Sequence, residues 1–176
     1  ARELVLEHAR TDAVAATRFR AKLAVGGATR RVLRRGAVAV STPYRVVLCV
    51  AAWNRDHKRV DYVIEDVASI EDPSVKLLLC GHPDKDAEAL IDLCRRRLGE
   101  RVRFATVPHV EMTNVLHAAD VFVLGSLHEA FGQAILEARL AGLPIVVHPH
   151  GGSRFILRDE PGWLVDLERP GALARR

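Results

Sequence analysis

The sequence predicts an α/β fold in which a parallel β-sheet is covered by helices on both faces. From position 45 onward, short apolar runs alternate with amphipathic stretches of helical length, which is the pattern of repeated βαβ units. Most of the apolar runs are continuous in Val, Leu and Ile, as expected for strands that are buried on both faces. Right-handed crossovers would then bring the strands into one parallel sheet.

Each element follows from its own local pattern. Strands are expected at Arg45–Ala52, Val75–Gly81, Arg101–Val107, Ala119–Ser126, Pro144–His148 and, as a short segment, Gly162–Val165. Helices are expected at Val60–Ile70, Asp84–Leu98, Glu111–Ala118 and Gln133–Ala141. The second of these helices repeats apolar side chains at helical spacing, and the last is followed by Gly142 and Pro144, residues that end helices.

The composition is that of one globular domain. The chain has 176 residues, of which 49% are hydrophobic and 27% are charged, and a domain of this size needs neither disulfides nor a metal for stability. Its three cysteines, Cys49, Cys80 and Cys94, show no CxxC spacing, which favours a reduced, cytoplasmic setting. No apolar run approaches the ~18 residues of a membrane span, and the first residues do not resemble a signal peptide.

The first forty residues differ from the rest. Seven Lys or Arg residues and no acidic residue lie between Arg18 and Arg35, although the net charge is only +4. Such a stretch could bind nucleic acid or an anionic membrane surface, but a solvated linker is favoured on general grounds. We therefore predict that residues 1–40 are the tail of a preceding domain with an interdomain hinge, and that residues 41–176 form the globular domain. The chain begins without methionine, which we interpret as the start of a fragment.

The predicted sheet directs attention to the loops at the carboxyl ends of its strands, where open parallel sheets bind ligands. Five segments that are rich in polar and charged residues are expected there: Trp53–Lys58, His82–Lys85, Pro108–Val110, Leu127–Gly132 and Pro149–Ser153. We therefore expect the functional site at this edge. Among the eight histidines, His148 and His150 lie two positions apart at a strand end without a neighbouring acidic pair, and we do not expect a metal site.

The most informative segment lies between positions 126 and 144. Glu129 follows a buried strand and Gly132 opens the next helix, so the amides of residues 130–132 should form a positive helix end that attracts phosphate. The lack of a side chain at Gly132 would let the phosphate approach. Glu137 lies about 7.5 Å further along a helix with 1.5 Å rise, a distance that suits a ribose beyond a diphosphate. Either glutamate alone is more simply explained as a surface charge, but the neighbours of Glu137 are apolar, and burial of an unpaired carboxylate is costly.

This segment closely resembles the signature of the family-four retaining glycosyltransferases of the B-type fold. Two glutamates stand eight positions apart with Phe-Gly between them, and a Leu-Glu-Ala helix ends in Gly-x-Pro. Weaker matches, in the right order, extend the resemblance through about three-quarters of the chain, at 119–124, 151–152 and 162–165. The family implies a Rossmann-like fold, here the C-terminal, donor-binding half of the B-type enzyme, cut short at its C-terminal end.

The resemblance also implies an activity. The full enzyme would transfer a sugar from a nucleoside diphosphate sugar to a hydroxyl acceptor with retention, without a cofactor or a metal ion. The acceptor would bind mainly in the missing N-terminal domain of the same protein. In this interpretation the basic stretch is part of the hinge and nucleic acid is not a partner, while the full enzyme could associate with the cytoplasmic face of a membrane.

The family's functional residues map onto individual positions. Glu129 and Lys58 are implied as catalytic, the first on the sugar hydroxyls and the second on the diphosphate leaving group. The implied donor-binding residues are Glu137 on the ribose, Ala130, Phe131 and Gly132 on the sugar and phosphate, and Val107 near the base. The family's Gly-Arg pair before the lysine is replaced here by Ala51-Ala52, and Arg55 is the candidate substitute for the arginine.

Three other interpretations compete with a transferase. A non-catalytic module that binds a nucleotide sugar is favoured by the missing arginine. Sugar-nucleotide epimerases and phosphorylases share the B-type fold but lack the Glu-Ala-Phe-Gly arrangement. A nucleic-acid-binding protein is supported only by the stretch from Arg18 to Arg35.

Overall fold

The computed structural model describes residues 44–158 and 163–175. Five strands and five α-helices alternate in them, with short 3-10 turns at Gly99–Arg101 and His109–Glu111. In chain order the elements are β1 (Arg45–Val50), α1 (Val60–Ala68), β2 (Val75–Cys80), α2 (Ala87–Leu98), β3 (Val102–Ala105), α3 (Met112–Ala118), β4 (Val121–Leu124), α4 (Gln133–Leu140), β5 (Ile145–Val147) and α5 (Gly151–Leu157). The predicted tail and hinge at residues 1–40, with the basic stretch, lie outside the described residues.

The five strands form one parallel sheet in the order β3-β2-β1-β4-β5. The chain moves outward from β1 to β3, crosses back to β4 and then moves outward in the other direction. Right-handed connections therefore place α1 and α2 on one face and α3 and α4 on the other. The helix contacts agree, since α1 packs on α2, while α4 packs on both α3 and α5. The predicted α/β fold is confirmed.

Burial on both faces explains why the strands are apolar without alternation. Leu48 and Cys49 of β1 are adjacent in sequence and point to opposite faces, yet both are fully buried. The three cysteines are free thiols in this core, and burial raises the pKa of each to about 12. Thiols in this state are packing residues rather than nucleophiles.

Two predicted elements were wrong in detail. The segment 162–165 is not a strand in its described part, because only an isolated parallel bridge joins Leu164 to Val147. The segment 149–153 is not a loop throughout, because α5 begins at Gly151. Two consecutive glycines argue against a helix start, but the side chain of His150 caps this one by accepting the backbone N–H groups of Gly152 and Ser153.

One helix begins later than the sequence predicts, because residues at its expected start contact a loop of the site. The helix predicted from Asp84 begins at Ala87, because Asp84 and Asp86 hydrogen bond to the loop that follows β1. None of the helices in residues 44–158 and 163–175 is long and apolar enough to cross a membrane.

Candidate functional site

The strand order reverses between β1 and β4, and the loops that follow these two strands meet at the carboxyl edge of the sheet. Ligands of open α/β sheets bind in the crevice at this switch point. The loops are joined where the Leu127 amide donates to the His57 carbonyl at 3.0 Å. A side chain at position 125 would collide with the loop after β1, since a Cβ on Gly125 would lie 2.6 Å from the Arg59 carbonyl oxygen.

The two residues predicted as catalytic form an ion pair across this junction. Lys58 Nζ lies 2.7 Å from Glu129 Oε1, and the two side chains are only 19% and 14% exposed. Burial alone would raise the pKa of the Glu129 carboxyl, but the hydrogen bond and the charge of Lys58 outweigh it and hold the pKa below its usual value. The Glu129 carboxyl is therefore ionised at neutral pH, and both side chains of the pair are partly shielded from water.

Lys58 is positioned by Asn54, a residue that the sequence analysis missed. The buried Asn54 Oδ1 accepts the backbone N–H groups of His57 at 3.2 Å and Lys58 at 2.9 Å. Its Nδ2 donates to Asp84 Oδ2 at 2.7 Å, which ties the loop after β1 to the loop after β2. An Asn that lies four residues before a functional lysine in a loop was the available signal, because Asn side chains stabilise such turns.

The helix that was expected to bind phosphate begins beside this pair. Gly132 is buried at the start of α4 with φ 68° and ψ 43°, a left-handed conformation that glycine adopts most readily. Its Cβ would lie 2.7 Å from Ile156 Cδ1, so glycine is favoured here mainly for its conformation, and a side chain would also displace the end of Ile156 on α5. In the described part of the chain, no acceptor receives the amides of Ala130, Phe131 or Gly132. These N–H groups remain available to an anion.

Glu137 lies further along α4 and faces the turn after β3. Its carboxylate is 29% exposed and is hydrogen bonded through Oε1 to His109 Nε2 at 2.9 Å, while His109 is 84% exposed. The partly buried carboxylate thus has a partner, which sequence reasoning did not identify. Val107, two residues before His109, packs against the core, and Thr106 Oγ1 donates to the Gly81 carbonyl at 2.6 Å.

The structure does not bring Arg55 into an ion pair within the described residues. Its backbone N–H donates to Asp86 Oδ2 at 2.8 Å, and its buried Nε has no hydrogen-bond partner in the described part of the chain. The substitution of Arg55 for the family arginine therefore stays a prediction. No group of three His, Cys, Asp or Glu residues in the described ranges is arranged as a metal site would require.

Comparison with known sequences identifies a family. The family described as "Glycosyl transferases group 1" matches residues 44–176. D-inositol 3-phosphate glycosyltransferase of Corynebacterium diphtheriae is 36% identical over 105 residues, which cover 56% of this chain and 25% of the relative. An uncharacterized glycosyltransferase of Methanocaldococcus jannaschii is 32% identical over 130 residues, which cover 72% of this chain and 33% of the relative. The matched regions are thus about a quarter to a third of these curated relatives.

Solved structures share the fold. HepE of Anabaena, determined in complex with UDP and glucose, superposes with a TM-score of 0.69 at 21% identity over 97% of this chain and 43% of that chain. The catalytic domain of the Helicobacter pylori cholesterol-α-glucosyltransferase gives a TM-score of 0.67 at 21% identity over 76% of this chain and 83% of that chain. The Rossmann-like fold of B-type glycosyltransferases is therefore confirmed.

Proposed function

The chain belongs to the group 1 glycosyl transferases, and we propose that the crevice between its β1 and β4 loops binds a nucleoside diphosphate sugar as donor. The sugar then passes to a hydroxyl acceptor with retention at the anomeric carbon. The observation that supports this most strongly is the Lys58–Glu129 pair, which is partly buried beside the unoccupied amides at the start of α4. The class of ligand is supported by the neighbours, since HepE was solved with UDP-glucose.

The chemistry assigned to the site is stabilisation of a leaving group. When the bond between the anomeric carbon and the β-phosphate oxygen breaks, negative charge grows on the diphosphate. The Lys58 ammonium and the amides at Gly132 supply positive charge that is already in place. Glu129, which stays ionised beside Lys58, acts only as a hydrogen-bond acceptor and so orients the sugar through its hydroxyls.

The nucleoside extends along α4 in this proposal. The two ribose hydroxyls donate to Glu137, and they displace or share its hydrogen bond with His109. The segment that contains Val107 contacts the base, and Arg55 provides a second cation for the diphosphate. No metal ion is required, because Lys58 and the helix amides neutralise the charge.

We place the acceptor pocket and the remaining catalytic groups in a preceding domain of the full enzyme, which would work in the cytoplasm or at the membrane surface. The isolated chain should then bind nucleotide but transfer no sugar. The alternative, a module that binds a nucleotide sugar without catalysis, is favoured by Ala51-Ala52 at the place of the family's Gly-Arg pair. An assay of donor hydrolysis by the full-length protein separates the two, because only the enzyme releases free sugar.

The binding test is calorimetric titration of this chain with UDP, GDP and ADP. We expect at least one of them to bind, and we expect Lys58→Met to weaken that binding about 10- to 100-fold, as loss of a charged hydrogen bond does. Lys85→Met is the matched control, since Lys85 lies on the neighbouring loop and pairs with Asp56, where both side chains are mostly exposed. Failure of all three nucleotides to bind the wild-type chain would refute the proposal, and equal losses in the two variants would refute the role of Lys58.

A further inference from the structure

His150 is a buried histidine at the same edge of the sheet, in the loop after β5. It is 9% exposed, and its ring is fixed because Nδ1 accepts the amides of Gly152 at 3.1 Å and Ser153 at 3.3 Å. The Ser153 hydroxyl oxygen in turn accepts the His150 backbone N–H at 2.9 Å. The orientation of the ring is therefore set by backbone contacts on one side.

These contacts decide where the ring carries its proton. Because Nδ1 accepts two N–H groups, the proton of the neutral imidazole lies on Nε2. Burial lowers the pKa of His150, with only partial opposition from Glu129, so the ring is neutral at physiological pH. The buried Nε2–H has no hydrogen-bond partner among the described residues, although buried donors in native proteins are nearly always paired.

The unpaired donor stands next to the loop that carries Glu129. A Cβ on Gly152 would lie 2.7 Å from the Glu129 carbonyl oxygen and 3.2 Å from His150 Cε1, the ring atom bonded to Nε2. The charges that act on the ring include Glu129 and Lys58. His150 thus adjoins the Lys58–Glu129 pair without hydrogen bonding to either side chain.

We propose that the Nε2–H of His150 donates a hydrogen bond to a hydroxyl oxygen of the donor's sugar, which makes His150 a specificity-determining residue. The inference rests on the proposed function and assigns the sugar end of that same site. A carboxylate that only accepts and an N–H that only donates suit two neighbouring hydroxyls, one donating to Glu129 and the other accepting from His150. A neutral imidazole donates a directional hydrogen bond but contributes no positive charge, which suits an uncharged hydroxyl better than a phosphate.

Two variants separate this contact from the structural role of the ring. His150→Asn keeps a side-chain acceptor that can cap α5, because Asn is among the best N-cap residues, and it removes the Nε2–H. His117→Asn is the matched control, an exposed histidine in the last turn of α3 and outside the loops of the proposed site. For each protein, calorimetry measures the affinity for whichever of UDP, GDP and ADP binds. It also measures the affinity for the glucose ester of that nucleotide, which is UDP-glucose, GDP-glucose or ADP-glucose.

We expect His150→Asn to lower the affinity for the glucose ester about three- to tenfold and to change that for the bare nucleotide less than twofold. The His117→Asn protein should bind both as the wild type does. Equal losses for nucleotide and ester would overturn the proposal in favour of a phosphate contact or a folding effect, and no loss would overturn it outright. A wild-type chain that binds none of the nucleotides would instead refute the proposed function.

A second measurement takes its main readout from the wild-type chain, so it holds even if the variant folds poorly. Glucose esters that lack a single hydroxyl are titrated into the wild-type chain and into His150→Asn. Removal of the hydroxyl that His150 contacts should weaken wild-type binding about three- to tenfold and have little further effect in the variant, because the two changes remove one interaction. If every deoxy ester binds the wild type as tightly as the parent ester, the contact does not exist.

Discussion

Two glycine substitutions, at opposite ends of α4, test whether the amides at the start of this helix bind the diphosphate. Gly132 precedes the helix and Gly142 follows it, with left-handed φ values of 68° and 71°. An L-residue in this conformation costs about 1–2 kcal/mol. A Cβ at Gly142 would meet nothing within 4 Å, so Gly142→Ala should cost only this amount.

Gly132→Ala adds a steric contact to the same backbone cost. Its methyl group would lie 2.7 Å from Ile156 Cδ1 and 3.3 Å from Ile135 Cδ1. Both atoms are the ends of flexible side chains, so repacking should add only about 1 kcal/mol. The total, about 2–3 kcal/mol, should appear as a lower free energy of unfolding in urea.

The two variants should differ more in binding than in stability. Relaxation of the turn at Gly132 would re-aim the amides of residues 130–132, and loss of charge-assisted hydrogen bonds to a diphosphate should lower the nucleotide affinity about tenfold or more. Gly142→Ala, at the other end of α4, should bind within twofold of wild type. Calorimetry below the melting temperature of both variants measures this. If both folded variants bind nucleotide equally well, the start of α4 does not hold the diphosphate.

Two further predictions concern single carboxylates. Glu137→Gln should weaken ribonucleotide binding about three- to tenfold, whereas its effect on 2′-deoxyribonucleotide binding should be smaller. Glu111→Gln, on the turn after β3, is the control. Equal losses for ribonucleotides and 2′-deoxyribonucleotides would place Glu137 away from the ribose. Asp66 is fully buried on α1, where its Oδ1 accepts the Leu173 amide at 2.9 Å, and burial raises the pKa of this carboxyl. The native state therefore holds the proton more tightly than the unfolded state, so this group's contribution to stability should fall as pH rises from the ordinary Asp value of about 3.9 through the raised pKa. Asp66→Asn cannot titrate, and its stability relative to wild type in urea denaturation should rise over that range; a difference independent of pH would contradict the raised pKa.

The fold was largely predictable because its strands are buried on both faces. Continuous apolar runs then mark each strand, and Gly142 with Pro144 marks the end of α4 correctly to within one residue. Element ends that depend on tertiary contacts were not predictable. α2 starts late because Asp84 and Asp86 hydrogen bond to the loop after β1, and α5 exists because the ring of His150 replaces a conventional cap.

The site was predictable as a set of loops but not as a set of contacts. Parallel strands bring their carboxyl ends to one edge, which located Lys58 and Glu129 at the same edge of the sheet. Lys58 and Glu129 are 71 positions apart in the sequence, and they meet only because β4 pairs with β1. Local sequence patterns do not determine this strand order. His109 and His150 were missed for a similar reason, since His109 meets Glu137 from another loop and His150 acts through a cap that has no sequence signature. Asn54 differs, because its place in the same loop as Lys58 was a local signal.

The most direct test of the donor site is a crystal structure of this chain with the nucleotide sugar that binds best in titration. We predict density for the diphosphate at Lys58 Nζ and the Gly132 amide, the ribose at Glu137, and the sugar between Glu129 and His150. Density for the ligand at another edge of the sheet, with the crevice between the β1 and β4 loops empty, would contradict the account.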